Sequence, residues 1–409
     1  MNHALSHVTV LDLSRILAGP WAGQILADLG ADVIKIERPG TGDDTRAWGP
    51  PFLRSADGTL NVRADAAYYL CANRNKKSVT VDIATPEGQS IVRELARTSD
   101  VILENFKVGG LEPYGLDYES LRALNPRVIY CSITGFGQTG PYASRAGYDF
   151  LIQGMGGLMS ITGRGPEEPG AGPQKAGVAV TDILTGLYAS IGILAALAHR
   201  ERTGAGQYID VSLLDVQVAC LANQALNYLV SGQVPQRLGN AHPNIVPYQD
   251  FPTSDGYMII AVGNDSQFAR LCAAAGIAEL ASDPKFATNQ QRVNNRGPLI
   301  DTLCAATRTR PTAQWIADLE RVGVPCGPIN SIDAVFADPQ VQARCMQIEL
   351  PHPLAGSVPM VANPLRLSAT PVSYRSAPPT LGAHTRAVLE GKLGLSAAQI
   401  GELAAKGII

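Results

Sequence analysis

Residues 176–210 read AGVAVTDILTGLYASIGILAALAHRERTGAGQYID, and this pattern predicts a long apolar helix with one acid near its start. Between residues 178 and 198, every residue other than Asp182 is apolar, small or hydroxyl-bearing. A lone acid in such a segment must be solvated at the helix end, paired with a cation, or used in chemistry. Two interpretations of Asp182 follow. It stabilises the helix N-terminus, where free backbone N–H groups favour negative charge, or it is a carboxylate nucleophile in a dry site.

The composition is that of an ordinary soluble protein, since 45% of the 409 residues are hydrophobic, 17% are charged and the net charge is −3. A chain of this length predicts two domains. Because there is no basic excess, the sequence favours neither nucleic acid nor an anionic membrane surface as a partner. The apolar helix is long enough to cross a membrane. Its acid, its glycines and its hydroxyls favour a buried helix of a soluble protein instead.

Cysteine usage and the N-terminus predict a cytoplasmic protein. The seven cysteines are scattered, odd in number and form no CxxC pair, which favours reduced thiols over a disulfide framework or a zinc site. The first residues, MNHALSHVTVLDL, lack the basic segment, apolar run and cleavage site of a signal peptide. We therefore expect no metal site and no membrane association.

Strand and helix patterns alternate over the first third of the chain. Short apolar or alternating runs predict strands at residues 8–13, 32–37, 78–83, 101–105 and 127–133. Helical patterns lie between them, at residues 21–30, 86–99 and 118–124. This alternation predicts an α/β fold in which helices cover both faces of a parallel sheet. Ligands bind such sheets at the carboxyl ends of the strands.

Two of the loops after these strands carry a cation beside glycines. Arg38 precedes Gly40, and Lys107 lies between Phe106 and Gly109. Such cations bind phosphates where glycine lets the backbone approach, and a phenylalanine ring offers a surface for a base. The alternative is that both cations are solvated surface charges. Neither GxGxxG nor GxxxxGK[ST] occurs, which disfavours an ordinary dinucleotide or P-loop site.

The second half of the chain predicts a smaller α+β domain. Residues 213–231 are predicted to form one helix, and strand-like runs at 247–251 and 257–262 flank an Asp-Gly turn. The run Pro-Cys-Gly-Pro at 325–328 is interpreted as the return to the first domain. The predicted large domain comprises residues 1–215 and 335–409, the small domain 232–330, and the linkers 216–231 and 331–334.

Several motifs follow one another along nearly the whole chain. They are DLSRILAGPWAGQILADLGADVIKIERPGTGDDTR, NRNKKSVTVD, ENFKVGGLEPYGLDY, NPRVIYCSITGFGQTGPY, AGYDFLIQ, the Asp182 helix with RTGAGQYIDVSLLD, GVPCGP and LGAHTRAVL. With these motifs the chain resembles the class III (CaiB/BaiF-type) CoA-transferase family. Each motif is weak alone, and their number, order and spacing make the resemblance specific.

The resemblance implies a Rossmann-like large domain built from both chain ends, a small domain inserted late in the chain, and a homodimer of two interlocked rings. It implies coenzyme A thioesters as substrates and no tightly bound cofactor. Asp182 matches the catalytic aspartate of the family. The CoA contacts of the family match Leu17, Ala18, Arg38, Val81, Asp82, Asn105, Phe106, Lys107, Tyr148 and Asp149. Two basic CoA contacts of relatives fall on Pro113 and Ala146, so phosphate binding is expected to depend more on Arg38 and Lys107.

The resemblance also implies a mechanism for Asp182, in which the carboxylate attacks an acyl-CoA thioester and becomes an aspartyl-CoA thioester through a mixed anhydride. Racemases related to this family carry a histidine where this chain has Tyr148, and tyrosine is a poor base at neutral pH. The glycine-rich loop of formyl-CoA:oxalate CoA-transferase has no clear counterpart, and its active-site glutamine falls on Leu17. Racemisation and formyl or oxalyl transfer are therefore disfavoured.

The substrate prediction is a succinyl-CoA-type donor and a small dicarboxylic acid as acceptor. It rests on Arg15, Arg46 and Arg74 in expected site loops, because a guanidinium binds a far carboxylate well. The alternative is that each arginine forms a surface ion pair. His242 is a candidate for the rim of the site, or else a structural or exposed histidine. A racemase-like enzyme, a non-catalytic CoA-binding protein and a nicotinamide-dependent oxidoreductase are the alternative functions, and the absence of GxGxxG disfavours the last.

Overall fold

A computed structural model describes residues 3–59 and 65–409. The chain divides into two compact units. The first comprises Met1–Gly157, Ala176–Leu226 and Gln340–Ile409, and the second comprises Leu158–Lys175 and Asn227–Pro339. The second unit therefore includes residues 158–175, which the sequence analysis assigned to the large domain. Residues 1, 2 and 60–64 of the predicted large domain lie outside the described residues.

The first unit is built on a six-stranded sheet with the order β3-β2-β1-β4-β5-β6. Its strands are β1 (Thr9–Asp12), β2 (Asp32–Glu37), β3 (Lys76–Thr80), β4 (Val101–Glu104), β5 (Ile129–Thr134) and β6 (Tyr208–Ser212). All neighbouring pairs are parallel. The strand order reverses direction between β1 and β4, and ligands of open α/β sheets bind at this position, outside the carboxyl ends of the strands.

The helices of the described chain have the following bounds. They are α1 (Ala18–Asp28), α2 (Ala67–Leu70), α3 (Pro86–Arg97), α4 (Tyr118–Leu124), α5 (Asp149–Met155), α6 (Leu158–Ile161), α7 (Val180–Thr203), α8 (Leu213–Ala219), α9 (Ala222–Ser231), α10 (Asp265–Ala274), α11 (Asn289–Asn294), α12 (Arg296–Thr307), α13 (Thr312–Arg321), α14 (Ile332–Ala337), α15 (Pro339–Ala343), α16 (Thr385–Leu393) and α17 (Ala397–Ala405). Short 3₁₀ helices occupy Asp44–Ala47, Glu112–Tyr114 and Ala278–Ala281.

Two apolar clusters cover the two faces of the sheet. Successive strand residues alternate between them, so that Val10 belongs to one cluster and Leu11 to the other. The first cluster includes residues of α1 and α7, and the second includes residues of α3, α16 and α17. The C-terminal helices α16 and α17 therefore pack on the same face of the sheet as α3.

Helix α7 is the long apolar helix that the sequence predicts. It packs closely on α1, since a Cβ at Gly186 would lie 2.7 Å from the carbonyl oxygen of Ala18. It ends at Gly204, whose φ of 78° is left-handed. By length and composition it is also the one described helix apolar enough to cross a membrane, and half of its most apolar window is buried. A core helix of a soluble protein passes the same test.

The second unit contains a three-stranded antiparallel sheet of β7 (Tyr248–Pro252), β8 (Tyr257–Ala261) and β9 (Cys326–Pro328). Its core surrounds the buried side chains of Phe251, Phe268 and Trp315. The interpretation of 325–328 as the return to the first domain was wrong, because residues 326–328 form β9, which pairs with β8 within the second unit. The first unit resumes at Gln340.

Two further segments differ from the sequence prediction. The predicted helix at 213–231 is two helices, and Ala222 at their junction has a φ of 46°. A hairpin of β10 (Gln347–His352) and β11 (Gly356–Val361) was missed. Each of its strands contains a proline, which normally argues against a strand but is tolerated where the pair has no further neighbours.

Candidate active site

A cleft of about 370 Å³ lies at the carboxyl ends of β1, β4 and β5 in the first unit. The start of α7 contributes Asp182 to its wall, and the loops after the three strands contribute most of the rest. Of the residues that the sequence analysis selected, the cleft is lined by Asp182, Arg15, Leu17, Ala18, Asn105, Phe106, Lys107 and Tyr148. Residues far apart in the sequence therefore meet at the position that the strand order indicates.

The Asp182 carboxyl is buried without a cation. The residue is 8% exposed, and within the described chain no group donates a hydrogen bond to its side chain and no cation pairs with it. Burial raises the pKa of the Asp182 carboxyl to about 7, and the nearby Asp149 carboxylate adds to the rise. A poorly solvated carboxylate that still ionises near neutral pH is a stronger nucleophile than a hydrated one.

Asp149, rather than Asp182, stabilises the N-terminus of α7. Its Oδ1 accepts the backbone N–H of Thr181 at 2.9 Å and that of Asp182 at 3.3 Å. The residue at the N-cap position, Ala179, has no side chain to do so. One of the two interpretations of Asp182 was that it caps the helix, and Asp149 has this role instead. The Asp182 carboxylate lines the cleft.

Buried amides hold this arrangement in place. Gln153 Nε2 donates to Asp149 Oδ2 at 2.7 Å, while Gln153 Oε1 accepts the N–H of Ala176 at 2.9 Å. The Thr181 hydroxyl donates to Gln217 Oε1 at 2.6 Å. Gln153, Thr181 and Gln217 are at most 1% exposed. Since these bonds connect α5, α7 and α8, they fix where α7 begins and so where Asp182 lies.

The loop after β1 is held by hydrogen bonds to Asn105, the residue that follows β4. Asn105, which follows β4, accepts the N–H of Arg15 at 2.9 Å and donates to its carbonyl at 2.7 Å. The next residue, Ile16, has a φ of 71°, which a β-branched side chain rarely adopts. Such backbone conformations persist where the surroundings enforce them and are common at functional sites. The loop then leads into α1, whose first turn has no side-chain cap and begins at the cleft wall with Leu17 and Ala18.

A cluster of buried charges, Asp12, Lys35, Asp43 and Lys76, lies beneath this loop. Lys35 Nζ donates to the Ser14 carbonyl at 2.7 Å and forms an ion pair with Asp43 at 2.9 Å. Lys76 Nζ lies 3.0 Å from Asp12 Oδ2. All four residues are at most 1% exposed. Sequence reasoning missed this charged cluster, although a lysine and flanking acids within the apolar strand pattern DVIKIE were a signal, because buried charges require partners.

A second cleft, of about 180 Å³, adjoins the first. Arg15 and Phe106 line both clefts, so the two clefts meet at these side chains. Three of the predicted CoA contacts, Arg38, Val81 and Asp82, line this second cleft. The predicted contact Asp149 lines neither and acts through its hydrogen bonds to α7.

Two of the predicted substrate arginines have structural partners. Arg46 is 7% exposed, pairs with Glu37 at 2.6 Å and with Asp65 at 2.8 Å, and lies 3.7 Å above the Tyr69 ring. Arg74 is 4% exposed and pairs with Asp28 at 2.6 Å. Neither lines the cleft with Asp182. The expectation that they bind substrate does not fit this placement, because their charges are already satisfied by buried carboxylates.

The other two candidates are more exposed. Arg15 lines both clefts and forms an ion pair with Asp44 at 2.8 Å. His242 belongs to the second unit, where its Nδ1 accepts the N–H of Asn244 at 3.1 Å and its ring lies 5.3 Å from that of Tyr248. A role for His242 at the rim of the site stays a prediction.

In the cleft wall that follows β5, sequence reasoning missed Gly135 and Arg145. A Cβ at Gly135 would lie 2.5 Å from the Cα of Gly147, so both positions require glycine for the two loop segments to touch. Arg145, two residues before Gly147, lines the cleft as well. Across residues 3–59 and 65–409, no three acids, histidines or cysteines are grouped so that they could hold a metal ion.

The fold and this cleft are those of an enzyme class that acts on coenzyme A thioesters. The chain belongs to CoA-transferase family III, whose model matches residues 5–385. The predicted class of enzyme and the predicted parallel α/β fold are therefore confirmed.

The individual relatives have similar lengths. The chain is 56% identical over 385 residues to a succinate–glutarate CoA-transferase of Agrobacterium fabrum, with 94% of each chain covered. It is 46% identical over 405 residues to a succinyl-CoA:glutarate CoA-transferase of Homo sapiens, covering 99% of this chain and 90% of that one. A crystal structure of a CaiB/BaiF family protein from Brucella suis superposes with a TM-score of 0.83 at 52% identity, covering 96% of this chain and all of the other.

Proposed function

We propose that this CoA-transferase moves CoA from succinyl-CoA to a small dicarboxylic acid such as glutarate, with Asp182 as the nucleophile. The observation that carries the proposal is the unpaired, buried Asp182 carboxyl, with its pKa near 7, in a cleft that adjoins the one lined by Arg38. The names of the two relatives above support the choice of substrates.

The first half-reaction loads the enzyme. A carboxylate oxygen of Asp182 attacks the thioester carbonyl carbon, the C–S bond breaks, and the products are a mixed anhydride and CoA thiolate. The thiolate sulfur then attacks the Asp182 carbonyl carbon, and the donor acid leaves as its carboxylate. The result is an aspartyl-CoA thioester. No proton is taken up or released, and the thioester bond energy is retained.

The second half-reaction runs the same steps in reverse with the acceptor acid. Its carboxylate attacks the aspartyl thioester, thiolate leaves, and the thiolate then attacks the acceptor carbonyl of the new anhydride. Asp182 is regenerated as a carboxylate. Since water would hydrolyse either intermediate, the buried position of Asp182 favours transfer over hydrolysis. The uncapped N-terminus of α1 beside the cleft favours the negative charge that develops on the carbonyl oxygen.

The two clefts suit the two ends of an acyl-CoA. We assign the nucleotide end to the second cleft, where Arg38 supplies a cation, and the acyl end to the cleft of Asp182. Phe106, shared by both, offers a ring between them, and Lys107 a second cation. The remaining CoA contacts in this proposal are Leu17, Ala18, Val81, Asp82, Asn105 and Tyr148.

The active form proposed is a cytoplasmic homodimer of interlocked rings. Several large apolar side chains on α5 and α7 are exposed in the single chain, among them Phe150 and Ile191, each 60% exposed. Exposed apolar area of this kind on neighbouring helices is typical of a surface that binds another protein chain. Light scattering at micromolar concentration should give the mass of a dimer, and a monomer would contradict this part of the proposal.

An exchange assay read by mass spectrometry tests the transfer itself. Succinyl-CoA is incubated with a panel of mono- and dicarboxylic acids and wild-type protein, Asp182→Asn or the control Asp333→Asn, whose side chain is exposed in the second unit. We expect glutaryl-CoA from the wild type and the control, and a loss of roughly 10⁴-fold or more in Asp182→Asn. Undiminished exchange in Asp182→Asn would remove Asp182 as the nucleophile. No new thioester with any pair would favour a non-catalytic CoA-binding protein.

A trapping experiment identifies the nucleophile directly. Enzyme loaded with succinyl-CoA is treated with hydroxylamine, which converts an aspartyl thioester to a hydroxamate. Trypsin cleaves after Lys175 and Arg200 and releases residues 176–200, in which Asp182 is the only acidic side chain. A hydroxamate on that peptide supports the proposed intermediate, and a hydroxamate on another peptide contradicts it.

A further inference from the structure

Arg145 is a cation of the active-site cleft that has no acid partner. It lines the cleft together with Asp182. Its guanidinium lies 4.6 Å from the Tyr142 ring centroid and 5.1 Å from that of Phe136, and Nη2 is 3.9 Å from the sulfur of Met155. Within the described part of the chain no carboxylate pairs with it. The rings restrict the guanidinium while leaving its N–H groups available for an anion.

The other cations of this region are held in ion pairs or, in the case of Lys107, line the same cleft from a different loop. Arg15 is paired with Asp44, and Arg46 and Arg74 are buried in ion pairs. Lys107 is on the loop after β4, next to Phe106, which also lines the second cleft. Arg145 is the cation of the cleft wall that follows β5.

The order of the strands gives the cleft a direction. Val81 and Asp82 follow β3, Arg38 follows β2, and these residues line the second cleft. The cleft of Asp182 continues from β1 across β4 to the segment after β5. A ligand whose nucleotide end occupies the second cleft therefore presents its acyl end toward β5, which is the side of Arg145.

The segment that carries Arg145 is tied to the catalytic helix. Gly147 touches Gly135 at the end of β5. Asp149, four residues after Arg145, accepts the N–H of Asp182. The position of the guanidinium relative to the proposed nucleophile is therefore set by hydrogen bonds and packing rather than by a free loop.

From this arrangement we propose that Arg145 binds the far carboxylate of the dicarboxylic substrate and so selects dicarboxylic over monocarboxylic acids. The proposal rests on the proposed function, since it assumes transfer at Asp182. A guanidinium pairs with a carboxylate through two parallel N–H···O bonds, which an acid ending in a methyl group cannot form. The side chain of Arg145 is exposed in the cleft, and an acid ending in a methyl group would cover it without supplying a partner, which disfavours the monocarboxylic substrate.

The test compares acids of equal carbon number. With succinyl-CoA as donor, glutarate and pentanoate, and adipate and hexanoate, serve as acceptors for wild type, Arg145→Gln, Arg145→Lys and the control Arg97→Gln on the surface of α3. In Arg145→Gln we expect KM for the dicarboxylic acids to rise roughly 10- to 100-fold, with little change for the monocarboxylic acids. Arg145→Lys retains part of the preference, and Arg97→Gln retains all of it. Thermal melting of each variant verifies that it is folded.

Different failures have different signatures. If wild type transfers CoA but Arg145→Gln keeps its preference for dicarboxylic acids, the role of Arg145 is wrong and the proposed function stands. If Arg145→Gln instead raises KM equally for succinyl-CoA and butyryl-CoA, Arg145 binds the phosphates of CoA, which also overturns the inference. If wild type transfers nothing and Asp182 is not trapped by hydroxylamine, the proposed function itself fails.

Discussion

The carboxyl edge of the sheet holds two sets of buried acids, and they differ in whether a cation lies against them. Asp12 and Asp43 belong to the charged cluster with Lys35 and Lys76. Asp182, at the start of α7, has no cation among the described residues. Both sets are removed from water, so their surroundings differ mainly in charge compensation.

The pKa values move in opposite directions as a result. Burial alone would raise the pKa of the Asp43 carboxyl, but the Lys35 ammonium and the N–H of Thr45 outweigh burial and lower it to about 2. The pKa of Asp182 is raised to about 7 by burial and by Asp149. A buried acid that is paired with a cation stabilises the loop around it. A buried acid without a cation is poorly solvated as a carboxylate, and this makes it more reactive.

The largest effect on stability should come from removing a cation of the charged cluster. Lys35→Met leaves Asp43 and its neighbours buried without their ammonium, and removal of one partner of a buried pair costs roughly 3–5 kcal/mol. Denaturant unfolding of wild type and variant measures it. The control is Lys77→Met on β3, whose ion pair with Asp32 is 41% and 30% exposed. Equal losses for the two variants would show that burial of the pair does not set its contribution.

Asp182→Asn should have the opposite effect on stability. The folded-state pKa of about 7 lies above the ordinary value of 3.8, so the folded protein holds its proton more tightly than the unfolded chain. Stability therefore falls as pH rises from about 4 to 7 and is constant above that. The amide removes this cost, and we expect Asp182→Asn to be more stable than wild type by roughly 2–4 kcal/mol at pH 8. At pH 4 the difference should vanish, and a variant less stable at pH 8 would contradict the raised pKa.

The sequence predicted the sheet and the position of Asp182 because both depend on local patterns. Alternating strands and helices determine a parallel sheet, and the loops after its strands carry the ligand residues. The partners of Arg46 and Arg74 could not be predicted in this way, because Asp65 and Asp28 reach them through tertiary packing and not through sequence spacing. Capping by Asp149 was missed for the same reason, since it lies 33 residues before Asp182. For the charged cluster around Lys35, the available signal was a lysine inside the apolar strand pattern DVIKIE.

A smaller effect should distinguish the two causes of the raised pKa of Asp182, which are burial and the charge of Asp149. Transfer requires ionised Asp182, so kcat/KM of the wild type should rise with pH and level off above about 7. In Asp149→Asn the side-chain oxygen can still accept the N–H of Thr181 while the negative charge is gone. The acid limb should therefore move to lower pH, by less than the full shift, because burial is the larger cause. A pH profile of exchange with succinyl-CoA measures this. An unchanged limb would show that the charge of Asp149 does not contribute to the raised pKa of the titrating carboxyl.

The smallest effect should come from an exposed pair at the same edge of the sheet. Arg15 and Asp44 lie 2.8 Å apart, close to the 2.9 Å of Lys35 and Asp43, but their side chains are 51% and 48% exposed. Exposed pairs contribute only about 0–1 kcal/mol, since water solvates each partner once the other is removed. Asp44→Asn should therefore leave the free energy of unfolding nearly unchanged. Because it also releases Arg15 at the junction of the two clefts, KM for succinyl-CoA should fall, and more so at low salt. A loss of stability as large as that of Lys35→Met would mean that this pair, too, holds the loop.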